Sequence, residues 1–513
     1  MKRARANVAV TKPIDDDDDD DDDDESEDEG DALATHGDAE AFVAWLLAPL
    51  DVGEFERDCV DRKVVVSRAS ELKRARKFRS WFGLRDVEAL VRTGACAYGI
   101  DVDVTRYVDG TRETVNHNGV RGGECEGGND IVDGDVAMRR FTSEGCSIRV
   151  LHPQTRHDGM WKVCSTMETF WRCASGCNVY ATPPNSQGFA PHYDDIDAFV
   201  CQIEGEKHWR VYEPFEDQTH PRVSSKNFTQ EEIARQRVLF DGVLRAGDVL
   251  YMPRGAIHQA ECSNASWSVH ATLSTNQFNT PADLLELVVA DALTEFIDDD
   301  AAARRTFSRD FGREESQCAF ARLHALGNAF KARATFDWQH AIDRLGARLM
   351  LQRLPPPETH LARSKSESGD AAARTLAPGQ NQRVTLQLAG AQCLCVKGDR
   401  LAVCHIFDNA RDASHRFVAA ADAATTSTKG EALFDLDDAP FVQALLEAAE
   451  DQVLDVVEFA RDARDESGAE VFTNDPDDDS PGGGRDYYFD VARSLVAVGV
   501  LAVVAHRGGA RSK

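Results

Sequence analysis

The chain has 513 residues, 42% of them hydrophobic, and a formal charge of −30 at pH 7. That is material for about two to four domains with packed cores, and it argues against a nucleic-acid binder that relies on clustered Lys and Arg. Thirteen Cys without a Cys-x-x-Cys pair argue against a zinc ribbon or a disulfide framework and fit a reducing compartment. No apolar run reaches the ~18 residues of a membrane-spanning helix, and MKRARANVAV lacks the apolar stretch of a signal peptide, so a soluble intracellular protein with no membrane partner is expected.

Charge is concentrated at the ends: residues 1–31 carry 15 acidic against 4 basic groups, and residues 375–513 carry 23 against 13. The ten consecutive Asp from Asp15 to Asp24 repel one another and bury nothing, so residues 1–38 are expected to be a disordered tail. It either solvates the chain or docks basic partners. Lys2, Arg3 and Arg5 make a short basic cluster of the kind that serves as a nuclear address. Lys73 to Lys77 compete for that role or form the outer face of a helix.

From Glu40, Phe42, Trp45, Leu46 and Leu50 recur at helical spacing, with Asp38 placed as an N-cap. Val64 to Val66 read as a short strand and Val87 to Val91 as part of a helix. Val102 to Val108 alternate as a strand with Val102, Val104 and Val108 on one face, and Gly119 to Gly134 read as a loop. Cys146 to Leu151 form a strand, and Trp161 to Trp171 an amphipathic helix.

The alternating run Ile196 to Ile203 predicts a strand, and His192 and Asp194, two residues apart at its entrance, face the same way. A turn at Glu204-Gly205-Glu206 puts Lys207 on the returning strand. The Gly247-Asp248 and Arg254-Gly255 turns bracket Val249 to Pro253, and the run after them presents His258. Two imidazoles and a carboxylate on one face are the donor set of a non-haem Fe(II) facial triad. Spacing alone is a weak sign in a chain with 15 His. His270 reads as a core histidine. Arg210 has the opposite strand parity to Lys207 and Arg254 lies in a turn, so both rank below Lys207 as an anchor for an anion.

Further on, Pro281 to Asp300 change to helical period, with Leu284, Leu287, Val288, Ala292 and Phe296 on the apolar face, and a second helix spans Phe330 to Arg353. After a polar linker from Ser364 to Gln380 come strands at Val384–Leu388, Cys393–Val396 and Leu401–His405. Helices at Phe441–Ala449, Val453–Ala460 and Val491–Val498 follow, and a strand at Val500–Val504 ends the series.

The stretches NVYATPPNSQGFAPHYDDIDAFVCQIEGEKHWRVYEP and LRAGDVLYMPRGAIHQAE, with DVTRYVDGTRETVN upstream, resemble the ribosomal oxygenases, JmjC-type cupin enzymes. The likeness runs from about Ala41 to the C-terminus and is strongest from Cys146 to Thr280. It implies an α+β chain: a double-stranded β-helix (cupin/JmjC jelly-roll) catalytic domain at 39–280, a helical dimerisation region at 281–357, a linker at 358–380 and a winged-helix domain at 381–513. The acidic balance of that last domain argues against strong nucleic-acid binding.

The resemblance further implies that His192, Asp194 and His258 hold Fe(II), that Lys207 anchors the far carboxylate of 2-oxoglutarate and that Asn178 helps to seat it. Tyr180 and Ser274 line the substrate groove, and oxygen is the other co-substrate. The implied reaction is hydroxylation of a ribosomal-protein histidine, by a homodimer, in the nucleus or nucleolus. TPPNSQGFAPHYDD resembles the nucleolar histidyl-hydroxylase branch and EGEKHWR the Mina branch. Two rival expectations stand beside it: a histone lysine demethylase on the same fold, and a non-catalytic acidic scaffold. The scaffold fits less well, because relics usually lose a ligand or the co-substrate cation, and all four residues are present.

Overall fold

One nine-stranded sheet and one three-stranded sheet face each other in the N-terminal part of the chain. The structure is a computed structural model that describes residues 9–10, 38–69, 72–118, 131–262, 266–306, 317–361, 366–377, 382–411, 430–462, 474–478 and 483–504. The Asp15 to Asp24 run, with nearly all of the expected acidic tail, and most of the expected 119–134 loop lie outside the described residues. Two units divide the chain: residues 1–277 with 353–363 and 409–416, and residues 278–352 with 364–408 and 417–513.

In the first unit the large sheet contains β1 (Ala9–Val10), β2 (Val65–Ser67), β3 (Val102–Val108), β4 (Thr111–Thr114), β5 (Ser147–Leu151), β6 (Gly176–Thr182), β7 (Asp197–Glu204), β10 (Val249–Met252) and β12 (Ser268–Thr275). Their spatial order is β1-β2-β10-β7-β12-β6-β5-β3-β4. The small sheet has β8 (Glu206–Tyr212) between β11 (Ile257–Glu261) and β9 (Val238–Arg245). The two sheets make the jelly-roll barrel of an α+β cupin fold. β7 and β8 meet at Gly205, whose φ is +64° and where a Cβ would come within 2.0 Å of the Trp267 carbonyl oxygen, so only Gly serves there.

The period-2 pleat assigns each strand residue to one of two environments. On the outer face of the large sheet, Val102, Val104, Ile148, Val150, Val179, Ala181, Phe199, Cys201, Val269 and Ala271 join one buried cluster with the helices that cover them. Those helices are α1 (Ala39–Leu47), α2 (Val52–Asp58), α3 (Leu72–Trp81), α4 (Leu84–Arg92), α5 (Gly134–Ser143) and α6 (Asp158–Trp171). Asp38 caps α1 as expected, accepting from Ala41 N at 3.1 Å. On the inner face, Val66, Ala198, Val200, Leu250 and Met252 meet Trp209, Val211, Phe240 and Leu244 of the small sheet and fill one end of the barrel. Polar side chains hold the other end.

Several expectations need correction. Lys73 to Lys77 form an outer face only in part: Lys73 and Arg76 are exposed, but Lys77 is 3% exposed, and Arg74 donates to the carbonyls of Gly247 and Leu46 and to the Ser67 hydroxyl. Those carbonyls take the place of water for a buried guanidinium. Gly134 opens helix α5 instead of closing a loop, because Asp133 caps it through Asp135 N and Val136 N. Val108 shares a face with Val102 and Val104 but is 44% exposed, since β3 there runs past the covering helices into the Asp109-Gly110 turn.

In the second unit, helix α7 (Pro281–Asp299) buries Leu287, Val288, Ala292 and Phe296. The helix expected from Phe330 to Arg353 is in fact two, α8 (Gln317–Arg333) and α9 (Trp338–Leu351), broken where Asp337 caps α9 by accepting from His340 N at 2.9 Å. Inside the expected linker, β13 (Ser366–Glu367) pairs with β19 (Leu501–Val504). β14 (Arg383–Leu386) and β18 (Leu454–Asp455) complete that sheet, and β15 (Gln392–Lys397), β16 (Arg400–His405) and β17 (Glu431–Asp435) form another. Helices α10 (Ala439–Asp451), α11 (Val456–Asp462) and α12 (Gly484–Ala497) pack with them. The helix read from Val453 starts at Val456, after two residues given to β18, because Asp455 accepts from the backbone N–H groups of Val457 and Glu458.

Candidate metal centre

His192 and His258 come from segments far apart in sequence and are joined by a reciprocal backbone pair. His192 N donates to the His258 carbonyl at 3.1 Å, and His258 N donates to the His192 carbonyl at 2.8 Å. Their rings lie 4.5 Å apart between centroids. Gly255 N donates to the Asp194 carbonyl at 3.0 Å, which ties the carboxylate-bearing residue to the loop that leads to His258.

Each imidazole has its Nδ1 on a carbonyl two residues back: His192 on Ala190 at 2.8 Å and His258 on Ala256 at 3.0 Å. A carbonyl can only accept, so Nδ1 carries the proton and the Nε2 lone pair is left for a metal. Both Nε2 atoms face Asp194, at 3.9 Å from Oδ1 for His192 and 3.7 Å from Oδ2 for His258. One donor atom from each residue lies within 4.8 Å of the others, the only such cluster of His, Cys, Asp and Glu among the described residues. Burial, followed by the neighbouring His192, holds the His258 imidazole below its ordinary pKa and therefore in the neutral, ligating form. Two neutral imidazoles and a carboxylate fit a facial Fe(II) site.

Lys207, Trp209, Tyr180, Phe189, His270 and Thr272 line the same cavity as the triad. Lys207 is 4% exposed and its Nζ donates to Thr182 Oγ1 at 2.9 Å. Among the described residues it has no carboxylate partner, and burial pushes its pKa down to about 8. A buried ammonium without a counter-ion is costly, so the site is arranged for an anion that arrives from outside. Arg210 is turned out of the barrel to Glu261 and Asp241, and Arg254 donates to the Asn276 carbonyl. Neither is free to serve in its place.

Behind Lys207 the inner face carries a ladder of hydroxyls, in which Ser147 donates to Thr182 Oγ1 at 3.3 Å and Thr105 is fully buried. The segment leading to His192 lies directly on this ladder. A Cβ on Gly188 would fall 2.6 Å from Ser147 Oγ and 3.3 Å from Thr105 Oγ1, so only Gly allows the approach.

The remaining expected site residues occupy the same face. Asn178 is one pleat from Tyr180, and its Oδ1 is buried without a partner. Ser274 is one pleat past Thr272, half-buried and outside the cavity lining. His270, read from sequence as a core residue, is indeed 2% exposed, but it also walls the cavity and stacks on Tyr180 at 4.8 Å and 4°. Sequence reading did not contain Thr182, Phe189 or Thr272; the parity that selects Lys207 selects Thr182 and Thr272 from their own strands, whereas Phe189 lies in a loop with no such signal.

The family described as "JmjC domain" matches residues 149–281. Among characterised proteins, "Ribosomal oxygenase 1" of Danio rerio is 33% identical over 73% of this chain and 69% of its own length. "Bifunctional lysine-specific demethylase and histidyl-hydroxylase NO66" of Drosophila erecta is 36% identical over 61% of this chain, and "Ribosomal oxygenase 1" of Homo sapiens is 37% identical over 52%. The chain spans less than half the length of these last two, 47% and 39%. A solved structure of the Escherichia coli ribosomal oxygenase YcfD, in complex with cobalt and 2-oxoglutarate, aligns over 88% of this chain and 98% of its own at 13% identity, with a TM-score of 0.42.

Replacing His192 with Ala removes one of three donors, and changes merely behind a ligand already cost about 10–100-fold in metal affinity. Anaerobic Fe(II) titration is therefore expected to show a loss larger than that for His192→Ala. His270→Ala, in the same cavity but outside the triad, is expected to bind Fe(II) as the wild type does.

Proposed function

The chain belongs to the ribosomal oxygenase family, and on that premise we propose that it is an Fe(II)- and 2-oxoglutarate-dependent protein hydroxylase acting on a histidine side chain of a basic large-subunit ribosomal protein. The observation that carries the reading is the buried Lys207 ammonium, with no carboxylate of its own, in one cavity with the His192, Asp194 and His258 donors. A dicarboxylate that chelates a metal through one end presents its other end to such a cation.

His192, Asp194 and His258 would hold the iron, supplying three donors from the protein. Bound iron supplies the oxygen-activating chemistry, in which 2-oxoglutarate and oxygen give succinate and carbon dioxide and one oxygen atom enters a C–H bond. Lys207 and Thr182 fix the far carboxylate, and Asn178, whose buried Oδ1 has no partner, is given a part in seating the co-substrate by its likeness to the family. Trp209 and Val200 keep water from that end. Tyr180, stacked on His270, and Ser274 offer hydroxyls to the polypeptide. A nuclear, nucleolar place of action follows from a ribosomal-protein substrate. The C-terminal unit is read as a winged-helix-like module for protein contact, and its acidic balance sets it against DNA.

The test is incubation with whole ribosomal protein extract, iron and 2-oxoglutarate, followed by peptide mapping. A histidine peptide heavier by one oxygen is expected. Loss of a methyl group with formaldehyde release would instead assign the demethylase activity that the Drosophila erecta relative carries in its name.

Lys207 gives the co-substrate step a pH dependence of defined sign. Binding requires the ammonium, whose pKa in the free site is about 8. Below that value affinity is flat; above it a proton must be taken up on binding, and the dissociation constant rises by up to about tenfold per pH unit. Anaerobic 2-oxoglutarate titration of the Fe(II) protein at pH 7 and pH 9 should show this rise. It should be absent in Lys207→Arg, and Lys207→Ala should bind at least about tenfold more weakly already at pH 7.

The second partner is another copy of the chain. Helix α7 exposes Leu285 (48%), Val289 (42%), Leu293 (42%) and Ile297 (38%) at every fourth position, an apolar stripe separate from its buried face. Leu287, read from sequence as part of the dimer face, packs within its own unit together with Leu284. Placing Asp at Val289 and Leu293 is therefore expected to convert a dimer to a monomer by light scattering, whereas Asp at Leu287 should instead unfold the helix pair.

A further inference from the structure

The inner face of the large sheet continues past the metal cavity to its edge strand. Neighbouring strands there place Tyr180 beside Arg149, Arg149 beside Asp103, and Tyr107 beside Arg112 on β4. Arg149 is committed, since its Nε donates to Asp103 Oδ2 at 3.1 Å. Arg112 is not: among the described residues it has no ion pair, and its buried Nε has no hydrogen-bond partner. Its Cζ sits 4.3 Å from the centroid of the Phe189 ring, on which Arg149 also rests at 5.3 Å. Phe189 in turn packs edge-on against Tyr180 at 5.3 Å and lines the cavity of the triad.

Two guanidiniums thus flank one aromatic ring at the cavity rim, and only one carboxylate is hydrogen-bonded to the pair. Asp103 is the carboxylate that acts on Arg112 from a distance, but its own hydrogen bonds go to Arg149 and Asn116, and among the described residues no acidic group pairs with Arg112. Burial, and then Arg149, hold the Arg112 pKa below its ordinary value, the direction expected of an unneutralised cation. The hydroxyl of Tyr107, its cross-strand neighbour, is likewise buried without a partner. The 185–190 loop connects this patch to the outside: Asn185, Ser186 and Gln187 line an open groove of about 750 Å³ that Tyr107 also lines, and Gly188, Phe189 and Ala190 line the metal cavity.

We propose that Arg112 determines specificity for the polypeptide by taking an oxygen acceptor that flanks the target residue, either an acidic side chain or a main-chain carbonyl. The proposal rests on the reading of the substrate as a polypeptide. The planar fork of Arg112, already fixed on Phe189, presents its remaining N–H donors without further ordering. Tyr107 supplies one more donor to the same acceptor. The acceptor must arrive with the substrate.

The experiment uses a synthetic library of short peptides randomised on both sides of a central histidine, retained on the Mn(II)- and 2-oxoglutarate-loaded protein without oxygen and sequenced. The wild type should enrich Asp or Glu at one flanking position, and Arg112→Glu should reverse that choice to Lys or Arg. Arg112→Lys keeps the charge on the edge strand and should keep the acidic preference. If the acceptor is a main-chain carbonyl, the flanking profile stays flat and Arg112→Gln weakens all retained peptides by about tenfold or more, the loss of one charge-assisted hydrogen bond. Retained peptides with the same profile and affinity in wild type, Arg112→Glu and Arg112→Gln overturn this proposal alone. A wild type that retains no peptide overturns the polypeptide reading together with it.

Discussion

The reciprocal backbone pair between His192 and His258 is the constraint on which the centre depends. Two hydrogen bonds fix the separation of two chain segments before any metal is present, and the carbonyls of Ala190 and Ala256 fix the rotation of the rings. Asp194 is drawn in by the Gly255 N–H, and the base of the arrangement is held by Asp197, which accepts from Arg254 N at 3.0 Å and from Asn276 Nδ2 at 2.9 Å. Main-chain bonds carry most of this preorganisation, so its geometry survives many side-chain changes around it.

The co-substrate end works by the opposite principle. There the protein leaves an expense uncompensated: a buried ammonium whose partner among the described residues is one neutral hydroxyl. The stiff surroundings tolerate the deficit, because the hydroxyl ladder of Thr105, Ser147 and Thr182 is clamped between the sheet and the loop at Gly188.

Much of the centre was legible in the sequence because strand parity is a local property. His192 and Asp194 two apart, the turn at Gly205 and the inward position of Lys207 all follow from counting residues. The resemblance carried what counting could not, namely that His258 belongs with them, since that pairing depends on a crossing of distant segments. Failures arose where tertiary partners override local pattern. Arg74 looks like a surface charge until the carbonyls of Leu46 and Gly247 surround it. The break between α8 and α9 depends on one Asp cap that a continuous apolar pattern conceals.

The pleat has one more effect, on sulfur. A centre that activates oxygen endangers oxidisable side chains near it, and Cys177 and Cys201 lie on strands that border the cavity. Both have the parity of the outer face, and both are buried in the core under the helices, where burial, partly offset by Arg74, pushes the Cys201 thiol up to about 12. A register shift of one residue in either strand would bring a thiol into the cavity. The alternation that presents the ligands therefore also screens Cys177 and Cys201 from the chemistry, which the thickness of one sheet keeps away from these two thiols.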